Sequence, residues 1–151
     1  TIRKSSFEFL TGKVGLLHPR ARKEMEPRNV CVYGSSSKKT PQKYLEASKK
    51  LGHLLAQGGH LCINGAGKEG CMGALNDAVQ ESKGRVRGVI HKRWIVDKVE
   101  HPFISDMLVV DGEGLQERKA ALLENADCAI ALPGGVGTWD ELWEVACMKG
   151  L

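Results

Sequence analysis

The 151-residue chain lacks the run of about 18 apolar residues that a membrane-spanning helix needs, and it lacks the hydrophobic core of a secretory signal. Its five cysteines contain no C-x-x-C pair and, being odd in number, suggest no disulfide framework. These absences argue against a helical membrane protein and a disulfide-rich secreted protein. They predict a reducing compartment, and we expect a cytoplasmic location with no membrane partner.

Two common nucleotide-binding motifs and any metal-binding pattern are missing as well. No segment matches the G-x-x-x-x-G-K-[ST] loop of nucleoside triphosphatases, and the first apolar run does not lead into G-x-G-x-x-G. The five histidines have no metal-ligand spacing. The sequence therefore disfavours triphosphate hydrolysis and dinucleotide-dependent redox chemistry, and it predicts no metal site.

What the chain does have is an ordinary globular composition, with 42% hydrophobic and 26% charged residues, typical of one compact domain. Its net charge of +4 is unevenly distributed, because residues 1–28 contain seven basic and three acidic side chains and the remainder is neutral. We therefore divide the chain into a basic N-terminal tail, residues 1–28, and a domain, residues 29–151. The tail is expected to be a flexible or packing arm rather than an organelle-targeting segment. The neutral domain argues against nucleic acid as a partner.

Short apolar runs alternate with amphipathic segments from residue 29 onward. Strands are predicted at residues 30–33, 60–63, 86–90, 107–110 and 128–132. A first helix is expected from Thr40-Pro41 to Gly58-Gly59, and later helices at residues 72–81, 115–125 and 138–149, with an irregular loop over 91–106. This alternation predicts a doubly wound, mostly parallel α/β sheet covered on both faces. Since the chain stops just after a helix, where a further strand would complete such a sheet, we expect it to be cut short at the C-terminus.

The first, second and fifth predicted strands run into loops rich in glycine and serine at one edge of the sheet. The strongest of these loops, residues 133–138, precedes a helix that is expected to start at Thr138. Glycines let the backbone approach an anion, and the helix start adds free N–H groups and the positive end of its dipole. The predicted phosphate site consists of Gly134, Gly135, Gly137 and Thr138, with Ser35 and Ser36 from the first loop. A sharp turn whose glycines serve only backbone geometry is the alternative.

Two charged side chains are expected beside this phosphate loop. Glu141 lies one turn into the helix behind it, and Arg118 lies in the first turn of the preceding helix, so both are predicted to converge on one ligand. A carboxylate near a sugar can stabilise an oxocarbenium-like transition state or activate water, and an arginine can hold a hydroxyl or a phosphate. Ordinary exposed helix residues are the alternative. Trp139 and Trp143, four residues apart, are interpreted as core or interface residues rather than a base-stacking surface.

Four segments taken in order resemble one protein family. PGGVGTWDE at 133–141 resembles the P-G-G-x-G-T-x-x-E signature of the Lonely Guy (LOG) family, and ERK at 117–119 resembles that family's E-R-K segment. GSS at 34–36 resembles its first-strand motif, and GAG at 65–67 with GCMG at 70–73 is similar to its G-G-G-x-x-G-x-M-G. The resemblance covers residues 29–151. The family consists of cytokinin-activating nucleoside 5′-monophosphate phosphoribohydrolases, long labelled possible lysine decarboxylases.

The resemblance implies a Rossmann-like fold, a homodimer or higher homo-oligomer, and neither a metal nor an organic cofactor. It implies hydrolysis of the N-glycosidic bond of an adenosine-type nucleoside 5′-monophosphate to free base and ribose 5-phosphate. Arg118 and Glu141 match the catalytic pair of the family. The phosphate loop matches as a whole, and the further substrate-binding residues are Lys119, Gly65, Gly67 and Met72.

This sequence departs from the family pattern at a few positions, which leaves the accepted base open. The departures are Tyr33, Ala66, His91, Leu115 and Asp140. A cytokinin riboside monophosphate and AMP are both candidate substrates. A second class of function is also kept, namely a non-catalytic module of the same fold that binds a nucleotide, a molybdenum cofactor or single-stranded DNA.

Overall fold

Parallel strands joined by helices make up the computed structural model, which describes residues 26–95, 100–104 and 106–150. The strands are β1 (Asn29–Tyr33), β2 (Leu61–Asn64), β3 (Arg85–His91), β4 (Asp106–Val110) and β5 (Cys128–Ala131). The helices are α1 (Gln42–Gln57), α2 (Gly70–Glu81), α3 (Lys92–Ile95), α4 (Gln116–Leu123) and α5 (Val136–Gly150). Each predicted strand is confirmed to within one residue at its ends, and the predicted α/β fold is confirmed.

Three predicted helix boundaries are wrong by two residues, and a predicted loop contains a helix. The α2 helix begins at Gly70 rather than at residue 72, and α4 ends at Leu123 rather than at residue 125. The last helix begins at Val136 rather than Thr138, since the N–H of Trp139 already donates to the Gly135 carbonyl at 3.2 Å. The loop predicted over 91–106 contains the one-turn helix α3. The N–H of Arg93 in this helix donates to Nδ1 of His91 at 3.2 Å, which caps the start of the helix. Residues 96–99 and 105 of that loop, and residues 1–25 of the predicted basic tail, lie outside the described residues.

Alternate side chains of β1 point into two different cores, as they must in an extended strand. On one face, Val30 and Val32 pack with residues of α1 and α2, including Leu55, Leu75 and Val79. On the other face, Cys31 and Tyr33 pack with Leu122 of α4 and Val145 of α5. The sheet is therefore covered by α1 and α2 on one side and by α4 and α5 on the other.

The order of the strands reverses at β1. Across the sheet the order is β4-β3-β2-β1-β5, so the chain steps outward from β1 to β4 and then returns to place β5 against the other side of β1. The register pairs Val30 with Cys128 and Tyr33 with Ala131, all in parallel. Ligands of open α/β sheets bind at such a reversal, beyond the carboxyl ends of the strands. None of the helices in the described ranges combines the length and apolar character needed to cross a membrane.

Candidate active site

Three loops meet at the carboxyl ends of β1, β2 and β5. The N–H of Ser35 donates to the Pro133 carbonyl at 3.0 Å, which ties the loop after β1 to the loop after β5. The N–H of Met72, in the first turn of α2, donates to the Ser35 carbonyl at 3.1 Å. Loops that are far apart in the sequence thus form one connected rim, as predicted.

The loop before α5 has one closed and one open side. A Cβ on Gly134 would overlap the hydroxyl of Thr138, whereas a Cβ on Gly135 or Gly137 would meet nothing within 4 Å. The open side lies at the N-terminus of a 15-residue helix, where backbone N–H groups and the helix dipole favour an anion. The geometry therefore suits a phosphate, and the shift of the helix start to Val136 brings Gly137 and Thr138 into its first turn.

The serines of the first loop differ in their roles. Ser35 Oγ lies 2.8 Å from Thr40 Oγ1 and accepts the N–H of Ser37 at 3.1 Å, so it organises its own loop. Ser36 is exposed beside Gly67. A cavity of about 230 Å³ opens next to them, with Ser35, Thr40, Pro133 and Gly134 in its wall. A larger cavity of about 470 Å³, between the N-terminal parts of α1 and α2, does not include Arg118 or Glu141.

Arg118 and Glu141 are in direct contact, although they come from different helices. Nη1 of Arg118 donates to Oε1 of Glu141 at 3.2 Å, and the two side chains are only 9% and 13% exposed. Nε of Arg118 donates to the Val89 carbonyl in β3 at 3.1 Å. The structure thus brings together the two side chains that were predicted to converge, and it makes them a buried ion pair rather than ordinary exposed helix residues.

Burial raises the pKa of the Glu141 carboxyl above its usual 4.5, while the charge and the hydrogen bond of Arg118 partly offset that rise. Desolvation disfavours the carboxylate, and a nearby cation favours it. A carboxyl group whose pKa is moved toward neutrality suits proton transfer at physiological pH.

Two further groups confine the guanidinium of Arg118. Its Cζ lies 5.0 Å from the centre of the Trp94 ring, in a cation–π contact. A Cβ on Gly65 would overlap Nη2 of Arg118, so the guanidinium lies directly against this glycine. Gly65 was predicted at the site from its motif, but Trp94 was not, because it falls in the segment that was predicted to be an irregular loop.

The other predicted substrate-binding residues occupy two places. Nζ of Lys119, 9% exposed, lies 3.1 Å from Asp140 and 3.3 Å from Glu144 and so connects α4 to α5. Burial lowers the pKa of Lys119, but these two carboxylates outweigh burial and raise it overall. Sδ of Met72 accepts a hydrogen bond from the N–H of Gly67 at 3.0 Å and so supports the loop after β2.

Two buried asparagines, which the sequence analysis missed, hold the loop after β2 in shape. Nδ2 of Asn64 donates to Oδ1 of Asn76 at 2.7 Å, and Oδ1 of Asn64 accepts the N–H of Ala66 at 2.8 Å. Nδ2 of Asn76 donates to the Gly67 carbonyl at 3.1 Å. Ala66 has φ of 61°, a left-handed conformation that glycine adopts more readily than alanine. No motif marks an asparagine for this role.

Among the described residues, no three His, Cys, Asp or Glu side chains group as metal ligands.

The strand order and the loop chemistry at its reversal place the chain in the class of Rossmann-like α/β proteins. A family model described as possible lysine decarboxylase matches residues 72–151, a little over half of the chain. The chain belongs to this family, the LOG family, which confirms the membership that its motifs predicted.

Curated relatives agree with this membership. The cytokinin riboside 5′-monophosphate phosphoribohydrolase LOG of Oryza sativa subsp. japonica is 38% identical over 118 residues, covering 78% of this chain and 48% of the relative. The cytokinin riboside 5′-monophosphate phosphoribohydrolase of Rhodococcoides fascians is 32% identical over 120 residues, covering 79% of this chain and 60% of the relative. The chain spans about half the length of the curated relatives it matches.

Solved structures share the fold. The structural-genomics target TM1055 has a TM-score of 0.69 and 29% identity, covering 80% of this chain and 69% of the target. The molybdenum cofactor carrier protein of Chlamydomonas reinhardtii has a TM-score of 0.67 and 18% identity, covering 82% of this chain and 72% of the carrier. The likeness to the carrier shows the fold alone.

Proposed function

We propose that the protein hydrolyses the N-glycosidic bond of an adenosine-type nucleoside 5′-monophosphate, such as a cytokinin riboside monophosphate or AMP. The products are the free base and ribose 5-phosphate. The observation that carries the proposal is the buried contact between Arg118 and Glu141 beside a glycine-rich loop at a helix N-terminus. The names of the curated relatives, which are cytokinin riboside 5′-monophosphate phosphoribohydrolases, support the reaction and the substrate class.

In this proposal the N-terminus of α5 binds the 5′-phosphate through the backbone and hydroxyl groups of its loop. The phosphate-binding residues are Gly134, Gly135, Gly137 and Thr138, with Ser35 and Ser36. The remaining substrate contacts come from Gly65, Gly67, Met72 and Lys119. Anchoring the phosphate would fix the sugar against the Arg118–Glu141 pair and make attack on the sugar effectively intramolecular.

The Arg118–Glu141 ion pair would carry out the chemical step. Breaking the bond between C1′ and the base leaves positive charge on the sugar, and the Glu141 carboxylate would stabilise that charge or take a proton from the attacking water. The water supplies a hydroxyl to C1′ and a proton to the base, so atoms and charge balance. Arg118 would hold a sugar hydroxyl or phosphate oxygen and favour the ionised form of Glu141, because its positive charge opposes the effect of burial on the pKa of that carboxyl.

Self-association and location are proposed as well. The α5 helix exposes four large apolar side chains, Val136, Trp139, Trp143 and Met148. An exposed apolar surface rich in tryptophan is typical of protein interfaces, and it supports a homodimer or higher homo-oligomer. The tryptophans are exposed, so their interpretation as core residues is wrong and the interface interpretation stays a prediction. All five cysteines are free, which supports a reducing compartment such as the cytoplasm.

A nucleotide panel tests the reaction. The purified full-length protein is incubated with AMP, a cytokinin riboside monophosphate and other nucleoside monophosphates, and released base is separated from nucleotide. Glu141→Gln is expected to lower kcat by about 100-fold or more, the usual contribution of a positioned acid or base. Glu124→Gln, at an exposed position after α4, serves as the matched control.

Two results would contradict the proposal: no base released from any nucleotide, or an unchanged rate in Glu141→Gln. The alternative, a binding module without catalysis, predicts tight calorimetric binding of a nucleotide, a pterin cofactor or single-stranded DNA with no base released. The buried Arg118–Glu141 pair favours hydrolysis, because a binding site for a phosphate alone gains nothing from a carboxylate beside it.

A further inference from the structure

The guanidinium of Arg118 lies over the face of the Trp94 ring. Cζ of Arg118 lies 5.0 Å from the ring centre, within the range of a cation–π contact, and Trp94 is half-buried in α3. This tryptophan has no place in the motifs that identify the family, and the proposed reaction assigns it no role.

Three other contacts hold the guanidinium of Arg118. Nε is held by the Val89 carbonyl at 3.1 Å, Nη1 by Glu141 at 3.2 Å, and Nη2 lies against Gly65. Hydrogen bonds along the edges of a planar group fix its position in that plane but resist tilting out of it only weakly. The face of the Trp94 ring adds a contact of a different kind, which these bonds do not supply.

The ring itself is fixed through its neighbour His91. The two rings meet edge to face at 6.2 Å and 69°. Nε2 of His91 lies 3.1 Å from the Gly112 carbonyl, and Nδ1 accepts the N–H of Arg93 at 3.2 Å. The one-turn helix that carries Trp94 is therefore fastened both to the end of β3 and to the segment before α4, the helix that carries Arg118.

We propose that Trp94 is a positioning residue that holds the Arg118 guanidinium in place against Glu141. This proposal rests on the proposed hydrolysis only where it predicts that replacing Trp94 lowers the rate of base release. The contact acts on Arg118 before any substrate binds, so it has a second consequence that needs no turnover.

The rate experiment compares three variants of the full-length protein. Trp94→Leu keeps an apolar side chain but loses the aromatic face, and we expect kcat to fall about 10- to 30-fold, equivalent to about 1.4 to 2 kcal/mol, with KM within about threefold of wild type. Trp94→Phe keeps a ring and should retain kcat within about threefold. Phe103→Leu removes an exposed aromatic side chain from the same connection between β3 and β4, and it should leave both constants unchanged. Circular dichroism confirms that each variant is folded.

The second experiment needs no activity. Trp139 and Trp143 are replaced by phenylalanine, so that Trp94, the third tryptophan of the chain, is the only one left to emit. Arg118→Met in this background removes the cation from the ring and should shift the emission maximum or intensity of Trp94. The control Lys92→Met changes an exposed cation two residues away, which pairs with Asp111, and should leave the emission unchanged.

The outcomes separate the two proposals. If no nucleotide is hydrolysed, the proposed function fails, and the emission experiment alone decides whether Trp94 contacts Arg118. If the protein is active but Trp94→Leu and Trp94→Phe have equal kcat, the positioning role is refuted. Unchanged Trp94 emission after Arg118→Met refutes the contact itself.

Discussion

Replacing Gly65 with alanine would push a methyl group into the guanidinium of Arg118. The new Cβ would overlap Nη2 of Arg118 and would lie 3.4 Å from Sδ of Met72, which is an ordinary contact distance. Gly65 is not among the glycines with positive φ, so its backbone accepts alanine without strain. The whole perturbation therefore falls on Arg118.

The size of the effect follows from how tightly that side chain is held. The guanidinium must move by about 1 Å to reach an ordinary contact distance, and its bonds to the Val89 carbonyl and to Glu141 are already 3.1 and 3.2 Å long. A shift of about 1 Å breaks at least one of them. Because a misplacement of about 1 Å in a catalytic group costs roughly 100-fold in rate, we expect kcat of Gly65→Ala to fall by about that factor, or about 2.7 kcal/mol.

Base release from the preferred nucleotide measures kcat and KM, and thermal unfolding measures stability. Gly114→Ala is the control, since its nearest heavy-atom neighbour would be 4.0 Å from the added Cβ. The control should match wild type in both assays. A folded Gly65→Ala protein with kcat within about threefold of wild type would refute the dependence of the reaction on the position of Arg118.

Three more predictions concern titration, stability and thiol reactivity. Burial raises the pKa of Glu141, so if the carboxylate is the active form, kcat/KM should rise with pH around a midpoint above pH 4.5. A pH profile with that midpoint at or below pH 4.5 would contradict this. Lys119→Met should lower the free energy of unfolding by about 1 to 2 kcal/mol at pH 7 in urea titrations, because it leaves two carboxylates of α5 unpaired. Because the pKa of Lys119 is raised in the folded protein, its positive charge stabilises the fold below about pH 10.5. The difference in the free energy of unfolding between wild type and Lys119→Met should therefore shrink at higher pH. Iodoacetamide at pH 8 should label the exposed Cys147 before Cys31 and Cys62, because burial raises the pKa of those two thiols to about 12. Mass spectrometry would detect the order of labelling.

Sequence patterns predicted the features that depend on local chemistry or on topology alone. Buried parallel strands are short apolar runs that end at glycine or at a turn, so their positions were found to within one residue. Arg118 and Glu141 were predicted to converge because the starts of α4 and α5 lie at the same edge of a parallel sheet. The glycine-rich loop was found because its spacing is itself the signal.

Features that depend on the path of the chain in space were missed or wrong. The contact of Trp94 with Arg118 requires a turn after β3 that no local pattern indicated. The spacing of Trp139 and Trp143 correctly gave one apolar helix face, but periodicity does not say which face meets the sheet. Val145 of the same helix is 4% exposed in the core, while both tryptophans point outward. The amide pair Asn64–Asn76 has no signature, because neither an asparagine at the end of a strand nor one inside a helix indicates a buried partner 12 residues away.

The pairing of β1 with β5 has a consequence for the order in which the molecule is made. Asn29 and Asp127, which share a hydrogen bond at 2.7 Å, are separated by 98 residues. During synthesis the β2 side of β1 can be covered early, but its other edge has no partner until residues 128–131 leave the ribosome. An open strand edge is a template for pairing with the wrong chain. The strand at the centre of the binding crevice therefore keeps one edge unpaired until β5 is made, and the crevice is completed only by the last strand and helix of the described chain.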